Sequence, residues 1–147
     1  MDLSYNYQYF EPNDNTYKDI IDNYYNKSIS ITYDFGFIHK PIADNIDNPT
    51  FILCKLNPEF EDIEISLVCS KSNKKQGKIL IDLVITKALE MKYKYISLLT
   101  NRDIIFVNWY KKQGFQNITP KCLPNGNKPT YYFMRKNILL DNTPLKN

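Results

Sequence analysis

A cluster of lysines around one glycine is the part of this sequence best suited to bind a charged ligand. The cluster consists of Lys71, Lys74, Lys75 and Lys78, and Gly77 stands within it. Backbone N–H groups at the start of a helix, with lysines around them, form a natural site for phosphate groups, and glycine allows a ligand to approach the backbone closely. The pattern therefore predicts a site for a pyrophosphate or a nucleotide phosphate. The alternative is a solvated lysine loop that joins a strand to a helix.

Common nucleotide-binding signatures do not decide between these two interpretations. The sequence contains neither the P-loop pattern GxxxxGK[ST] nor the dinucleotide pattern GxGxxG. The net charge of +3 at pH 7 is mild, which argues against a dedicated nucleic-acid-binding protein. A nucleic-acid-binding module that uses residues 71–78 and exposed tyrosines therefore ranks last among the alternatives.

The composition is that of a globular domain. With 147 residues, of which 43% are hydrophobic and 24% charged, the chain suits a single domain over residues 1–147 that buries a substantial core. No apolar run approaches the roughly 20 residues that a membrane span needs, and the polar amino terminus lacks an apolar signal region. We therefore expect a cytoplasmic protein that does not span a membrane.

The cysteines give no sign of a metal centre or of disulfide bonds. Cys54, Cys69 and Cys122 are widely spaced and odd in number, which fits neither a disulfide framework nor a CxxC metal site. Cys54 and Cys69 lie in apolar runs, so we expect small buried side chains in a reduced compartment. No metal site is predicted.

The elements before the lysine cluster follow from hydrophobic periodicity. Alternation predicts strands at residues 5–9 and 28–35, and apolar runs predict strands at residues 50–56 and 62–69. A helix is predicted between the first two strands, from about residue 17 to residue 26. A short Asn-Pro turn separates the last two strands, which favours an antiparallel pair.

The elements after the lysine cluster complete the pattern. A helix is predicted from Gly77 to about Met91, because nearly all of its residues outside one polar line are apolar. A strand at residues 95–99 follows, so strand 62–69, this helix and the new strand form a βαβ unit with parallel strands. Further strands are predicted at residues 115–118 and 130–135.

A second helix is predicted between strand 95–99 and Gly114. Thr100, Asn101 or Asp103 caps its start, and Gly114 fits the left-handed residue that ends a helix. Its predicted buried stripe consists of Ile105, Phe106, Trp109 and Tyr110.

The run from Val68 to Phe115, about a third of the chain, resembles the acetyl-CoA-binding core of the GNAT N-acetyltransferase superfamily. In that family a strand feeds a loop of the form [Arg/Gln]-x-x-Gly-x-[Gly/Ala], and a later helix has the form Asn-x-x-Ala…Tyr-x-x-x-Gly-Phe. The matching segments here are Lys74-Lys75-Gln76-Gly77-Lys78-Ile79, Asp103-Ile104-Ile105-Phe106 and Tyr110-Lys111-Lys112-Gln113-Gly114-Phe115. The last segment matches fully, whereas the loop keeps only Gly77 and has Ile79 where a small residue is usual.

The resemblance implies both a fold and a reaction. The fold would be α/β (α+β): a mixed, largely antiparallel sheet with a central parallel strand pair that splays apart, flanked by helices. The reaction would move an acetyl group from acetyl-CoA, as cosubstrate, to a primary amine by direct attack. An enzyme nucleophile is not needed for such a transfer.

The resemblance also implies which residues hold the cosubstrate. Backbone groups near the strand end would pair with the pantetheine arm, and one N–H there would stabilise the oxyanion. N–H groups of the loop would hold the pyrophosphate, and nearby lysines would meet the 3′-phosphate. The cosubstrate-binding residues implied in this way are Leu67, Val68, Cys69, Lys74, Lys75, Gln76, Gly77, Lys78, Ile79, Asn101 and Asp103.

Two residues are candidates for proton transfer. The resemblance implies Tyr110 as general acid for the leaving thiolate, and the alternative is a tyrosine of the core. Glu64 is the candidate base, acting through a water molecule, because it precedes the cosubstrate loop on the same strand. The alternative for Glu64 is a solvated strand face.

The acceptor is the least specified partner. A small-molecule or peptide amine is implied, and Glu11, Asp14, Asp19 and Asp22 either favour a cationic amine or form a solvated helix face. Loss of the loop glycines leaves a second hypothesis open, in which a domain of the same fold binds acyl-CoA without turnover. The sequence also leaves a homodimer open.

Overall fold

The computed structural model describes residues 6–24, 32–40, 50–69 and 74–141. The strands are β1 (Tyr7–Phe10), β2 (Phe35–His39), β3 (Phe51–Asn57), β4 (Asp62–Cys69), β5 (Tyr95–Thr100), β6 (Gln116–Asn117) and β7 (Tyr132–Asn137). The helices are α1 (Asn15–Tyr24), α2 (Lys74–Glu90), α3 (Ile104–Lys112) and α4 (Ile138–Asp141), with a 3-10 turn at Pro58–Phe60.

The strands form one mixed, mostly antiparallel sheet, as the sequence predicts. Seven strands follow the order β1-β2-β3-β4-β5-β7-β6, and helices flank the sheet around one parallel pair, β4 and β5. By its internal contacts the chain divides into two compact units. Met1–Leu56 and Ile65–Lys87 make up the N-terminal unit, and Asn57–Glu64 and Ala88–Asn147 make up the C-terminal unit. The single domain and the splayed strand pair stay predictions.

The N-terminal unit is built on the antiparallel strands β1, β2 and β3. Its core cluster contains Phe10, Ile21, Ile38, Phe51, Leu53 and Cys69, with Tyr17, Tyr33 and Leu67 packed against it. Cys54 is also fully buried, so the prediction that Cys54 and Cys69 are small buried side chains is confirmed. Gly36 allows the close approach of β2 to β3, because a Cβ there would lie 2.5 Å from the carbonyl oxygen of Ile52.

Two predictions in the N-terminal unit need correction. The strand predicted at residues 28–35 is instead β2, and its predicted first part, residues 28–31, lies outside the described residues. The alternation was misleading because Phe35, Gly36, Phe37 and Ile38 are all buried, and a strand buried on both faces shows no period of two. Helix α1 begins two residues earlier than predicted, because the side chain of Asp14 accepts a hydrogen bond from the N–H of Thr16.

The C-terminal unit contains the beginning of β4 and strands β5, β7 and β6. The backbone N–H groups of Lys94 and Tyr95 both donate to the carbonyl of Glu61, which places the start of β5 beside the start of β4. Strand β7 pairs with β5 and β6 in antiparallel register, with Leu98 opposite Met134. The buried apolar side chains of this unit are Ile63, Ala88, Ile96, Leu98, Val107, Phe115, Met134 and Ile138.

The predicted apolar stripe of α3 is wrong in part. Ile105 is 64% exposed and Phe106 is 49% exposed, and the buried residue of this helix is Val107. Trp109 and Tyr110 are half-buried. The face of α3 that packs against the core is therefore not the one that the apolar residues suggest. Apolar residues lie all around the start of α3, so they do not by themselves specify one buried face.

Within residues 6–24, 32–40, 50–69 and 74–141, none of the helices combines the length and apolar character needed to cross a bilayer.

Candidate functional site

Helix α2 begins at Lys74, three residues before the predicted start at Gly77. Gly77 therefore lies inside the first turn and is buried. A helix leaves only its first N–H groups without partners in the helix, and in α2 these belong to the residues from Lys74 to Gln76. The N–H groups of Lys78 and Ile79 lie deeper in the helix and donate to carbonyls four residues earlier. Of the loop Lys74–Ile79, the N–H groups without partners within the helix are therefore those nearest Lys74.

The side chain of Gln76 is held by the strand next to it in the N-terminal unit. The hydroxyl of Thr50 donates to Gln76 Oε1 at 3.1 Å, and Thr50 itself is 1% exposed. This partly buried hydrogen bond joins the first turn of α2 to the residue before β3. Gln76 thus positions the helix start, in addition to any direct contact with a ligand.

Lys78 and Ile79 occupy different surroundings from those the loop pattern suggests. The ammonium of Lys78 forms an exposed ion pair with Asp82 at 2.8 Å, one helical turn away. Such exposed pairs contribute little free energy, so a phosphate could replace Asp82 as the partner of Lys78. Ile79 is half-buried in the second turn, about 7 Å along the helix axis from Lys74.

The last residues of β4 belong to the N-terminal unit. Leu67 and Val68 are half-buried and Cys69 is buried, with Leu67 and Cys69 contributing to the core cluster of that unit. These two side chains therefore stabilise the strand end by packing. Any contact with a thioester arm would come from backbone groups, as the resemblance implies.

Asn101 and Asp103 connect β5 to α3. The side chain of Asn101 accepts a hydrogen bond from the N–H of Asp103 at 2.9 Å, and the side chain of Asp103 accepts one from the N–H of Ile105 at 2.9 Å. Asp103 is thus the N-cap of α3, one of the three caps that the sequence allows. Both side chains are exposed and already occupied in this turn.

The end of α3 is closed by a Schellman motif. The N–H of Phe115 donates to the carbonyl of Tyr110 at 3.1 Å, and the N–H of Gly114 donates to that of Lys111 at 3.0 Å. Gly114 has φ of 95°, a conformation that favours glycine. The ammonium of Lys136, which is only 7% exposed, donates to the carbonyl of Gln113 at 2.7 Å. The sequence prediction that Gly114 ends this helix is confirmed.

Tyr110 lies directly in this motif. Its ring packs edge-on against Phe115 at 5.8 Å and against Trp109 at 5.0 Å. Burial raises the pKa of Tyr110 above its usual value of 10.0. The hydroxyl therefore stays protonated throughout the physiological range and can donate a proton.

Glu64 is half-buried in β4, two residues after a carboxylate that the sequence analysis did not single out. Asp62 is 7% exposed and accepts a hydrogen bond from the hydroxyl of Ser97 at 2.6 Å. Burial raises the pKa of Asp62, against the lowering effects of that hydrogen bond and of the charge on Arg135. No period or motif signals this pair, because its members lie 35 positions apart in the sequence.

A second group absent from the sequence analysis lies beyond the end of β5. Arg102, Lys121 and Lys128 line one cavity together with Tyr132. These residues come from three separate stretches of chain, which is why their proximity cannot be inferred from spacing. The guanidinium of Arg102 lies 5.1 Å from the ring centre of Tyr132.

Solved structures of acetyltransferases share this fold. A GNAT-family acetyltransferase from Staphylococcus aureus superposes with a TM-score of 0.52 at 22% identity. The match covers 90% of this chain and 99% of that protein. The NatC complex bound to Gag peptide and CoA matches 89% of this chain and 96% of its own, with a TM-score of 0.61 at 16% identity. The chain has the GNAT fold.

A third neighbour is the PaiA N-acetyltransferase from Thermoplasma acidophilum, solved in complex with coenzyme A. It matches 60% of this chain with a TM-score of 0.50 at 18% identity. The match spans about half (52%) of that enzyme. No model of a protein family matches the sequence, and no curated protein sequence matches it. The solved structures, the strand order and the parallel pair together confirm the sequence resemblance at the level of the fold.

Within the GNAT fold of this chain, the predicted site residues fall into two groups. Leu67–Cys69 and Lys74–Ile79 belong to the N-terminal unit. Glu64, Asn101, Asp103 and Tyr110 belong to the C-terminal unit. Direct hydrogen bonds join Asn101 to Asp103, whereas Gln76 bonds to Thr50, which was not predicted.

Proposed function

We propose that this protein transfers an acetyl group from acetyl-CoA to the amine of a small molecule or a peptide. The GNAT fold carries the proposal, because two neighbours of that fold were solved with CoA. The closed end of α3, with Tyr110 ahead of Gly114 and Phe115, supports it further, since this is the segment that matches the family pattern fully. The proposed cosubstrate is acetyl-CoA.

The first turn of α2 is the proposed binding site of the pyrophosphate. N–H groups from Lys74 to Gln76 supply the donors and the positive end of the helix dipole. Thr50 holds Gln76 in place, and buried Gly77 leaves room for close approach of the phosphates to the backbone. Lys78 can exchange its exposed partner Asp82 for a phosphate oxygen.

The proposed chemistry needs no nucleophile from the protein. The acceptor amine attacks the thioester carbonyl carbon, the C–S bond breaks, and the products are an N-acetyl amine and CoA thiol. Backbone N–H groups among Leu67–Cys69 stabilise the negative charge that develops on the carbonyl oxygen. Tyr110 donates its hydroxyl proton to the leaving sulfur, and Glu64 accepts the ammonium proton through a water molecule.

The state of Tyr110 supports its proposed role as the acid. A general acid must carry its proton when the bond breaks, and burial raises the pKa of Tyr110. Among the described residues, no hydrogen bond engages the Tyr110 hydroxyl, so the group is available to a ligand. The aromatic contacts with Trp109 and Phe115 hold the ring in place.

We propose the cytoplasm as the location of this reaction. Acetyl transfer from a thioester releases a free thiol, which persists in a reducing compartment. Cys54, Cys69 and Cys122 are all free in the structure, which fits such a compartment.

A domain that binds acyl-CoA without turnover is the second candidate. One observation favours it: α2 starts at Lys74, so the N–H groups of Lys78 and Ile79 are used within the helix. These two N–H groups of the loop Lys74–Ile79 are then not available to the pyrophosphate. This candidate predicts cosubstrate binding without amine-dependent release of CoA.

Thermal unfolding with and without acetyl-CoA tests the binding step. A ligand at 100 times its Kd stabilises the folded state by about 2.7 kcal/mol, so acetyl-CoA should raise the Tm by several degrees. Free acetate at the same concentration is the control and should leave the Tm unchanged. The proposal fails if millimolar acetyl-CoA leaves the Tm unchanged.

A further inference from the structure

A cavity of about 200 Å³ lies beyond the end of β5, entirely within the C-terminal unit. We call it the cationic pocket and define it by Arg102, Asn117, Thr119, Lys121, Lys128 and Tyr132. Two prolines, Pro120 and Pro129, complete its wall. This volume suits a small charged group and is below the usual size of a pocket for a drug-sized ligand.

The charge in the cationic pocket is of one sign. Arg102, Lys121 and Lys128 contribute three cations, and no carboxylate is among the residues that line the cavity. Among the described residues, none of these three cations forms an ion pair. Three cations around a small concave volume concentrate positive potential there, and a bound anion would relieve their mutual repulsion.

The walls of the cationic pocket are fixed by hydrogen bonds. Residues 119–132 form a loop whose base is closed where the N–H of Phe133 donates to Thr119 Oγ1 at 2.8 Å. Further along the loop, the N–H of Leu123 donates to the carbonyl of Asn127 at 2.7 Å. Lys121 and Lys128 therefore stand on opposite sides of a closed turn, which reduces the entropy lost when both contact one ligand.

Two further groups can bind an anion directly. The side-chain oxygen of Asn117 accepts the N–H of Thr119 at 3.0 Å, which directs the amide NH₂ away from that bond and leaves it free to donate. The guanidinium of Arg102 lies over the ring of Tyr132, 5.1 Å from its centre, and a guanidinium can donate two parallel hydrogen bonds to a carboxylate or phosphate.

The position of the cationic pocket connects it to the proposed reaction. Arg102 stands in the chain between Asn101 and Asp103, two residues that the family resemblance implies as acetyl-CoA-binding residues. We propose that the cationic pocket binds the carboxylate or phosphate group of the acceptor. This inference rests on the transferase function proposed above and narrows the acceptor to amines that also carry a negative charge. It differs from the cationic amine that the acidic residues near α1 suggested.

Matched amine pairs test the proposal. We would measure kcat/KM for acetyl transfer to phosphoethanolamine against ethanolamine, and to β-alanine against propylamine. The anionic member of each pair should react about tenfold faster at low salt, and the ratio should fall as salt screens the pocket. In the variant with Arg102→Gln, Lys121→Gln and Lys128→Gln, both ratios should approach one.

A binding measurement keeps the test independent of activity. Chemical-shift titration with inorganic phosphate should move the amide signals of Thr119 and Lys121 in the wild type and not in the triple variant. Lys111→Gln with Lys112→Gln removes charge from exposed positions on α3 and is the matched control, in which the shifts should persist. Near-identical Tm values would show that all three proteins are folded.

Several results would overturn the proposal. If phosphate does not bind at millimolar concentrations, the pocket is not an anion site. If phosphate still binds to the triple variant, the bound phosphate is an adventitious ion only, and the proposal is rejected. Equal transfer rates within each amine pair would reject the acceptor assignment while leaving the transferase function intact. A higher KM for acetyl-CoA, but not for 3′-dephospho-acetyl-CoA, in the triple variant would assign the pocket to the cosubstrate. Transfer to none of the amines, with phosphate binding retained, would reject the acceptor assignment together with the transferase function.

Discussion

The start of α2 and the end of α3 differ in how their unpaired backbone groups find hydrogen-bond partners. At the end of α3, the N–H groups of Gly114 and Phe115 and the ammonium of Lys136 satisfy the last carbonyls. At the start of α2, the hydroxyl of Thr50 donates a hydrogen bond to the side chain of Gln76. The first backbone N–H groups of α2 have no partners within the helix. The protein itself supplies the hydrogen-bond partners at the end of α3, whereas we assign those at the start of α2 to a ligand.

This difference separates stability from binding. Changes at the end of α3 should alter the free energy of unfolding or the position of Tyr110. Changes at the start of α2 should alter the affinity for acetyl-CoA with smaller effects on stability. Three variants test this separation, and a fourth tests the buried carboxylate Asp62 in β4; they follow in order of expected effect.

Tyr110→Phe should give the largest effect, because it removes the proposed acid and keeps the ring contacts with Phe115 and Trp109. Turnover should fall at least about 100-fold, while the Tm and the Kd for acetyl-CoA stay close to wild type. Stopped assays of CoA release measure turnover, and Tyr93→Phe is the control. Unchanged turnover in Tyr110→Phe would remove this residue from the proposed mechanism.

The same residue makes a prediction about pH. Burial raises the pKa of Tyr110 above 10.0, so this group carries its proton below pH 10. The pH profile of kcat should therefore show no descending limb from Tyr110 below that pH. A descending limb that disappears in Tyr110→Phe would contradict the raised pKa.

Gly114→Ala should destabilise the protein by about 1–2 kcal/mol, because an L-residue is strained at φ of 95°. Urea unfolding measures the change. Gly126→Ala is the matched control: Gly126 has φ of 85° and lies in a turn where an added Cβ meets nothing within 4 Å. If Gly126→Ala costs more than Gly114→Ala, the closed end of α3 does not contribute the stability that we assign to it.

Thr50→Val tests the start of α2 with a change that keeps the side-chain shape. Removal of the hydroxyl should cost about 1 kcal/mol of stability, because Gln76 Oε1 loses a donor in a partly buried place. The Kd for acetyl-CoA, measured by calorimetry, should rise several-fold, since the first turn of α2 is then less fixed. Thr86→Val, an exposed position of the same helix, should leave the Kd unchanged. An unchanged Kd in Thr50→Val would show that Gln76 has no part in binding.

Asp62→Asn should give the smallest effect, and only as a function of pH. Burial raises the folded-state pKa of Asp62 above 3.8, so the unfolded chain loses this proton first as pH rises. The wild type should therefore lose stability relative to Asp62→Asn as pH rises from about 4 through the folded-state pKa. Urea unfolding across this range measures the difference, with exposed Asp82→Asn as control. A stability difference that is independent of pH would contradict the raised pKa.

The sequence predicts the end of α3 better than the start of α2 for a physical reason. Gly114 is a strong and local signal, because few other residues adopt its backbone conformation at low cost. The start of α2 carries no comparable signal, because lysine is a good helix former but not a capping residue, so a run of lysines does not mark the first residue of a helix. The helix was therefore predicted to begin at Gly77 rather than at Lys74.

Tertiary contacts that join distant segments explain the remaining differences. The bond between Asp62 and Ser97 and the grouping of Arg102 with Lys121 and Lys128 depend on how strands pair. Neither leaves a periodic trace in the sequence. The succession of elements along the chain and the parallel strand pair, by contrast, follow from runs of apolar residues and one crossover, and the structure confirms them.

The most direct test of the central claim is the release of CoA thiol from acetyl-CoA, measured with and without added amines. We expect release that depends on an amine, is accompanied by an acetylated product, and falls at least about 100-fold in Tyr110→Phe. Release that is independent of amine, or no release at saturating acetyl-CoA with any amine, would contradict the assignment of this protein as an acetyltransferase.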